Sequence, residues 1–156
     1  PTADHAWEST KYILEKVEYG WFILSYHLWG SSAMVAIVVL HMSQVYLWGA
    51  YKKPREMVWL AGIVLFIIVL AFGFTGYLLP WDQLSFWAPT VGSQIVGSVP
   101  ILGDPLLGMV RGGQTISGET LTRFYAAHVI ILPVVAIVLL AFHFLMIRRQ
   151  GISEPL

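Results

Sequence analysis

The sequence predicts an all-α membrane protein: a transmembrane helical bundle with three spans and a loop of surface helices. Three observations support this prediction. The 156-residue chain is 57% hydrophobic and only 12% charged, with a mean hydropathy of +0.70. It contains three apolar stretches, each longer than the ~20 residues that a helix needs to cross the hydrocarbon core. Every Lys, Arg, Asp and Glu lies outside the cores of these stretches.

Charge and cysteine content exclude several functions. The formal net charge is zero, so nothing in the charge balance indicates a nucleic-acid partner. The absence of cysteine excludes disulfides, iron–sulfur ligation and covalent haem attachment by this chain. The chain begins at Pro1 without an initiator methionine or a signal-like segment, so we expect a processed chain or part of a longer one.

The elements follow in order along a single domain, residues 1–156. Residues 1–18 are polar with one apolar stripe, a pattern that fits a short interfacial helix or a solvated lead-in. The three predicted spans cover about 20–48, 57–79 and 122–147. The connection 80–119 is too long for a simple turn, and its Pro, Gly and apolar residues predict amphipathic helices at the outer surface.

Basic residues predict the orientation of the bundle. Three of them separate the first two spans and two follow the third, whereas the 80–119 loop contains only one. The positive-inside rule therefore places residues 49–56 and 148–156 on the inner side of the membrane.

Two pairs of histidines support the functional prediction, because ionisable residues inside a membrane are costly and usually functional. His27 and His41 lie 14 residues apart, nearly on one helix face and about 21 Å apart along the axis. His128 and His143 lie 15 apart in the third span. In an antiparallel pair of helices, His27 meets His128 at one depth and His41 meets His143 at another. Haem iron accepts an axial imidazole on each face, so the pairs predict two stacked haems.

Other interpretations of these residues stay open at this point. The histidines could be hydrogen-bonded packing residues, and zinc would need further ligands at each level. Gly62 and Gly76 share the 14-residue period and would let a macrocycle approach the backbone, or they serve ordinary helix packing. Arg123 and Arg148 could neutralise haem propionates or simply fix topology.

Several motifs resemble one known family. They are Gly76–Trp87 (GYLLPWDQLSFW), Thr120–Phe124 (TLTRF) ahead of His128, and the ending Arg149–Leu156 (RQGISEPL). They resemble cytochrome b of the Rieske/cytochrome b complexes. The 15-residue spacing, the Lys52–Glu56 loop (KKPRE) and the short C-terminus resemble the split form, cytochrome b6.

The resemblance implies an electron-carrying subunit of a quinol:cytochrome c or quinol:plastocyanin oxidoreductase, with three of the spans of a four-helix di-haem bundle. It implies two non-covalent b-type haems and a quinone/quinol substrate. His27 and His128 would ligate the low-potential outer haem, and His41 and His143 the high-potential inner haem.

The same resemblance assigns roles to further residues. Gly62 and Gly76 match glycines against which the macrocycles lie. Arg148 matches a basic residue near the inner haem and the quinone-reduction site. The loop from Trp81 to about Pro100 resembles surface helices at the quinol-oxidation site, whose wall would include Trp81, Phe86 and Trp87.

The implied partners are membrane lipid, a Rieske iron–sulfur protein, a c-type cytochrome subunit and a second, subunit IV-like cytochrome b fragment. That fragment would supply the Pro-Glu-Trp-Tyr motif of the quinol site, which this chain lacks. The implied setting is a dimeric complex in a bacterial inner membrane or a thylakoid.

The chain departs from the family pattern in two respects. Family members begin with another span, which in cytochrome b6 carries a cysteine holding a further inner-side haem. Pro1 resembles the point just after that span, so this haem is not assignable here. Leu24 and Gln44 stand where the family has arginines and Leu28 where it has a basic residue, so propionate neutralisation must differ at both haems.

Two rival functions remain. A di-haem anchor of a membrane dehydrogenase or hydrogenase would share the histidine ligation but would not need the 80–119 loop. A non-redox helical assembly subunit would show no b-type absorption bands.

Overall fold

The structure, a computed structural model, describes residues 2–153, and within that range the chain is helical without a strand. This confirms the predicted all-α fold class. The helices are α1 Ala6–Lys16, α2 Gly20–Leu47, α3 Glu56–Leu78, α4 Gln83–Gly97, α5 Gly103–Arg111, α6 Gly118–Ala126 and α7 Leu132–Gln150. A π-helical turn, Ala127–Ile131, joins α6 to α7.

Within residues 2–153, three helical stretches are long and apolar enough to cross a membrane. They are α2, α3 and the continuous 33-residue helix Gly118–Gln150 that combines α6, the π turn and α7. The third extends past the apolar span 122–147 at both ends. At its start the Ser117 N–H donates to Thr120 Oγ1 over 3.0 Å, which begins the helix four residues before the apolar stretch.

The central helix of the bundle is α3, which packs against α2, α4, α6 and α7. In the part of the chain that the structure describes, no Cα of α2 lies within 8 Å of a Cα of α7 or of the π turn. The two histidine-bearing helices therefore reach each other through side chains, and each of them packs against α3.

One end of the bundle is covered by α1 together with α4 and α5, which are the surface helices of the 80–119 connection. A small buried cluster joins them there and contains Ala6, Leu78, Ile116, Leu121 and Phe124. Helix α1 folds back onto the start of α2, where a Cβ at Gly20 would collide with the carbonyl oxygen of Ile13. Glycine is needed at this close approach.

The two basic segments meet at the opposite end. Arg55, before α3, donates from Nε to the Gly151 carbonyl at 3.1 Å and from Nη2 to the Ile152 carbonyl at 3.2 Å. These bonds join the α2–α3 loop to the segment after α7, so both lie at one end of the bundle, away from α4 and α5.

Candidate metal centres

The structure brings His27 and His128 together at the end of the bundle near the surface helices. Their ring centroids are 6.1 Å apart and their planes are nearly perpendicular, at 89°. A metal–imidazole bond is about 2 Å long, so two imidazoles on opposite sides of one metal have centroids roughly 6 Å apart. The separation of these rings therefore suits one metal ion between them.

His41 and His143 form the second level, toward the end that carries the basic loops. The two imidazoles are close enough to interact electrostatically, and the backbone of Val58 also interacts with His143. His143 Nδ1 is buried and has no hydrogen-bond partner of ordinary geometry within residues 2–153.

The pairs supply two imidazoles at each level. Within the described range, no group of three or more His, Cys, Asp or Glu side chains is close enough to hold a metal ion. Haem iron needs just two protein ligands, on opposite faces of its ring. Because the backbones of α2 and α7 stay apart, these residues fit a flat macrocycle standing between the helices.

The two glycines of α3 lie behind the α7-side histidines. A Cβ at Gly76 would be 2.6 Å from His128 Cε1, a separation that real side chains do not show. A Cβ at Gly62 would be 3.4 Å from His143 Cε1, which is close to an ordinary contact. The nearest partner of each glycine is therefore an imidazole ring, with the tighter approach at position 76.

Thr75 is a site residue that the sequence analysis missed. Its Oγ1 lies 3.1 Å from His128 Nδ1. The available signal was a hydroxyl residue beside Gly76 in an otherwise apolar span. Threonine in a membrane helix usually bonds its own backbone, so this signal is weak by itself.

The π turn lies at His128 and accounts for the unequal histidine spacings. The Leu132 N–H donates to the Ala127 carbonyl, five residues back, instead of to the residue four back. Such a turn absorbs one extra residue in a helix. The 15-residue separation on α6–α7 is thereby equivalent to the 14-residue separation on α2.

The arginines predicted near the haems lie in different settings. Arg123 is exposed, and its Nη1 donates to the Met109 carbonyl at the end of α5 over 2.7 Å. It thus ties α6 to α5. Arg148 is exposed in the last turn of α7, at the basic end.

Three residues of α2 stand where the family pattern has basic residues. Leu24 is half-buried, while Leu28 and Gln44 are exposed.

The three predicted wall residues form a chain of ring contacts at the start of α4. Trp81 meets Phe86 edge-on at a centroid distance of 5.9 Å, and Phe86 meets Trp87 edge-on at 5.3 Å. Trp81 and Phe86 also line an open cleft of about 470 Å³ with Trp7 of α1. Trp87 is not among the residues lining that cleft, and its side chain is exposed.

Arg111 is the second residue that the sequence analysis undervalued, because it was counted only as a loop charge. It is 7% exposed and donates from Nε to Ser93 Oγ at 2.7 Å, from Nη1 to the Gln114 carbonyl at 3.0 Å and from Nη2 to the Thr90 carbonyl at 3.1 Å. Its own carbonyl accepts from Thr120 Oγ1 at 2.6 Å. Arg111 therefore joins α4, α5 and α6: its guanidinium donates to neutral acceptors, and its carbonyl accepts from Thr120 of α6.

Comparison with known proteins identifies the family. The family model described as Cytochrome b/b6/petB matches residues 1–151. This chain belongs to the cytochrome b/b6 family, as its motifs predicted. Membership implies binding of b-type haem and electron transport within a multi-subunit oxidoreductase complex of an energy-transducing membrane.

Two curated relatives and one solved structure show how far the similarity extends. Cytochrome b6 of Synechococcus sp. (strain JA-3-3Ab) is 47% identical and that of Synechococcus elongatus 48% identical, over all of this chain and 73% of each relative. A chain of a structure titled Hyperthermophilic respiratory Complex III matches with a TM-score of 0.87 and 34% identity. That match covers 99% of this chain but only 42% of the other.

Proposed function

We propose that this chain is the transmembrane electron-transfer subunit of a quinol:cytochrome c or quinol:plastocyanin oxidoreductase. It holds one b-type haem between His27 and His128 and a second between His41 and His143. The observation that supports this most strongly is the facing pair of imidazoles, 6.1 Å apart on helices whose backbones do not pack.

The chain contributes ligation, spacing and a water-excluding environment. Neutral imidazoles bind iron without adding charge, and the apolar side chains of the spans keep water away from both levels. When bound, the two haems carry electrons across the apolar core between a quinol-oxidation site and a quinone-reduction site. Trp81, Phe86 and Trp87 wall the first site, and Arg148 lies near the second. Gly62, Gly76 and Arg123 support the haem levels.

The partners follow from the same proposal. They are a Rieske iron–sulfur protein, a c-type cytochrome subunit and a second cytochrome b fragment that supplies the Pro-Glu-Trp-Tyr motif. The similarity to cytochrome b6 and to the Complex III chain supports this assembly. The setting is a dimeric complex in a bacterial inner membrane or a thylakoid.

Haem content in histidine variants tests the ligation directly. His27→Ala removes one ligand at the outer level and His143→Ala one at the inner level. Each variant should therefore lose about one of two haems, and a different one. The measurement is pyridine hemochrome quantitation of the purified complex, with redox difference spectra to identify the remaining haem. His5→Ala is the matched control, since His5 lies before α1 and its Nδ1 is 3.7 Å from a carboxylate oxygen of Glu8.

The control should retain full haem content. Two haems retained in both His27→Ala and His143→Ala would contradict the proposal. Loss of the same haem in both variants would contradict the pairing of His27 with His128 and of His41 with His143.

A further inference from the structure

Thr75 provides a side-chain hydrogen-bonding group that α3 directs at the outer histidine pair, in addition to the Phe72 backbone, which also interacts with His128. Its Oγ1 lies 3.1 Å from His128 Nδ1, and both side chains are partly buried. Thr75 stands one position before Gly76, the residue against which the His128 ring packs. The helix thus presents a small residue and a hydroxyl side by side to one imidazole.

The direction of this hydrogen bond follows from the other bonds of the hydroxyl. Thr75 Oγ1 also lies 2.7 Å from the Ala71 carbonyl and 3.3 Å from the Phe72 carbonyl. A carbonyl can only accept, and the contact with Ala71 is the shortest of the three, so we assign the single hydroxyl proton of Thr75 to Ala71. The oxygen then accepts from His128 Nδ1–H. Neutral His128 consequently carries its proton on Nδ1, and its Nε2 lone pair is free for a metal.

The inner level lacks this group. The position 14 residues before Thr75 is Ala61, which stands one position before Gly62. Ala61 is buried, at 7% exposure, and has no hydroxyl. His143 Nδ1 has no hydrogen-bond partner of ordinary geometry in the described chain, although the Val58 backbone interacts with His143 as the Phe72 backbone does with His128. The residues that precede the two matched glycines, Thr75 and Ala61, therefore differ in one respect that concerns hydrogen bonding: only Thr75 has a hydroxyl group.

We propose that Thr75 is a positioning residue that fixes the tautomer of His128 and lowers the midpoint potential of the outer haem relative to the inner one. The proposal rests on the proposed function, because it assumes a haem at each level. An acceptor for the outer N–H of an axial imidazole makes that imidazole a stronger donor to the metal. A stronger axial donor stabilises oxidised iron and lowers its potential.

Substitutions at position 75 test the proposal in the intact complex. Thr75→Val keeps the shape of the side chain but removes the hydroxyl, whereas Thr75→Ser keeps the hydroxyl. The readouts are haem content and the midpoint potentials of both haems from optical redox titration. Thr75→Val should raise the outer potential and leave the inner one unchanged. Thr75→Ser should titrate like the parent complex.

Ala61→Ser is the reciprocal variant, because it places a hydroxyl at the equivalent position of the inner level. It should lower the inner potential without moving the outer one. Serine adds a single oxygen atom, the smallest change that supplies the acceptor.

The outcomes separate this proposal from the proposed function. Full haem content in Thr75→Val with an unchanged outer potential would overturn the role of Thr75 and leave the proposed function standing. Selective loss of the outer haem in Thr75→Val, with retention in Thr75→Ser, would support the positioning role. Absence of haem from the parent complex would instead overturn the proposed function.

Discussion

Glycine at position 76 lets the His128 ring lie against the backbone of α3. A Cβ there would stand 2.6 Å from His128 Cε1, whereas at Gly62 the corresponding separation from His143 is 3.4 Å. The same ring also contacts Thr75 and faces His27, so moving it would disturb both neighbours. The two glycines are equivalent in the sequence pattern but differ in how tightly they are packed.

Alanine substitutions should separate the two glycines. Gly76→Ala forces the His128 ring away from its position and should cost about one of two haems. Gly62→Ala adds only a near-ordinary contact and should retain both. Gly73→Ala is the control on the same helix, since its added Cβ would have no neighbour within 4 Å among the described residues beyond the adjoining helix backbone. Haem quantitation after purification measures all three variants.

Equal haem content in Gly76→Ala and Gly73→Ala would contradict this account of position 76. Equal loss in Gly62→Ala and Gly76→Ala would show that both positions face a macrocycle with similar closeness, as the resemblance alone implied.

At the residue scale, the sequence could predict the histidines but not their supports. Four histidines in apolar helices stand out because so few polar groups occur there. Thr75 does not stand out, since it also bonds its own helix at Ala71. Arg111 was undervalued for a different reason: its burial depends on how α4, α5 and α6 fold around it, which the sequence pattern does not reveal.

At the scale of the elements, the π turn brings the two helices into register. Two residues that are 14 apart in an α-helix are related by a rotation about 40° short of four whole turns. For two residues that are 15 apart, the rotation is about 60° more than four turns. Without compensation, the second histidine of α7 would point about 100° away from the direction that its counterpart takes on α2. The turn at Ala127–Ile131 absorbs the extra residue and removes this offset.

Deletion of one residue should therefore affect haem content differently in the two helices. Deletion of Ile130 converts the π turn to α-helix and should retain both haems, because the spacing becomes 14. Deletion of Ala36 shortens the spacing on α2 to 13 with no π turn to absorb it, and should cost about one haem. Both residues are exposed, so neither deletion removes a buried side chain. Haem content and difference spectra report the result.

Comparable haem loss in the two deletion variants would contradict the compensating role of the π turn. Full retention in both would indicate that the helices adjust their register by other means.

Element boundaries were predictable only where apolar character ends. The start of the third membrane helix lies at Gly118, four residues before the apolar stretch, because Ser117 and Thr120 form a polar cap there. The π turn is a change of hydrogen-bond register inside a uniformly apolar helix. Apolar periodicity over five residues cannot distinguish that register from an ordinary α-helical turn.

At the scale of the whole molecule, the fold class followed from the length of the apolar stretches, but the arrangement of the helices did not. The membrane helices are apolar all around, so their sequences indicate no buried face. The packing of α3 against both α2 and α7 is a tertiary feature. Matched spacing nevertheless predicted which histidines face each other, because it compares distances along two helices and needs no knowledge of their faces.

The charge distribution also acts at this scale. Arg55 joins the basic α2–α3 loop to the segment after α7, so the basic residues gather at one end. By the positive-inside rule we expect that end to be the inner one. With this orientation, we expect the His27–His128 level toward the outside and the His41–His143 level about 21 Å further in.

Redox poise of the two haems under an imposed membrane potential tests the central claim most directly. Moving one elementary charge across the whole membrane changes its electrical energy by ~2.3 kcal/mol per 100 mV of membrane potential. A step of about 21 Å in a core of about 30 Å is worth roughly two-thirds of that, or about a 15-fold change in electron distribution per 100 mV. A potassium diffusion potential, negative inside, should therefore shift electrons from the inner haem to the outer one in sealed vesicles. A distribution that does not respond to the potential would contradict two haem levels stacked across the membrane.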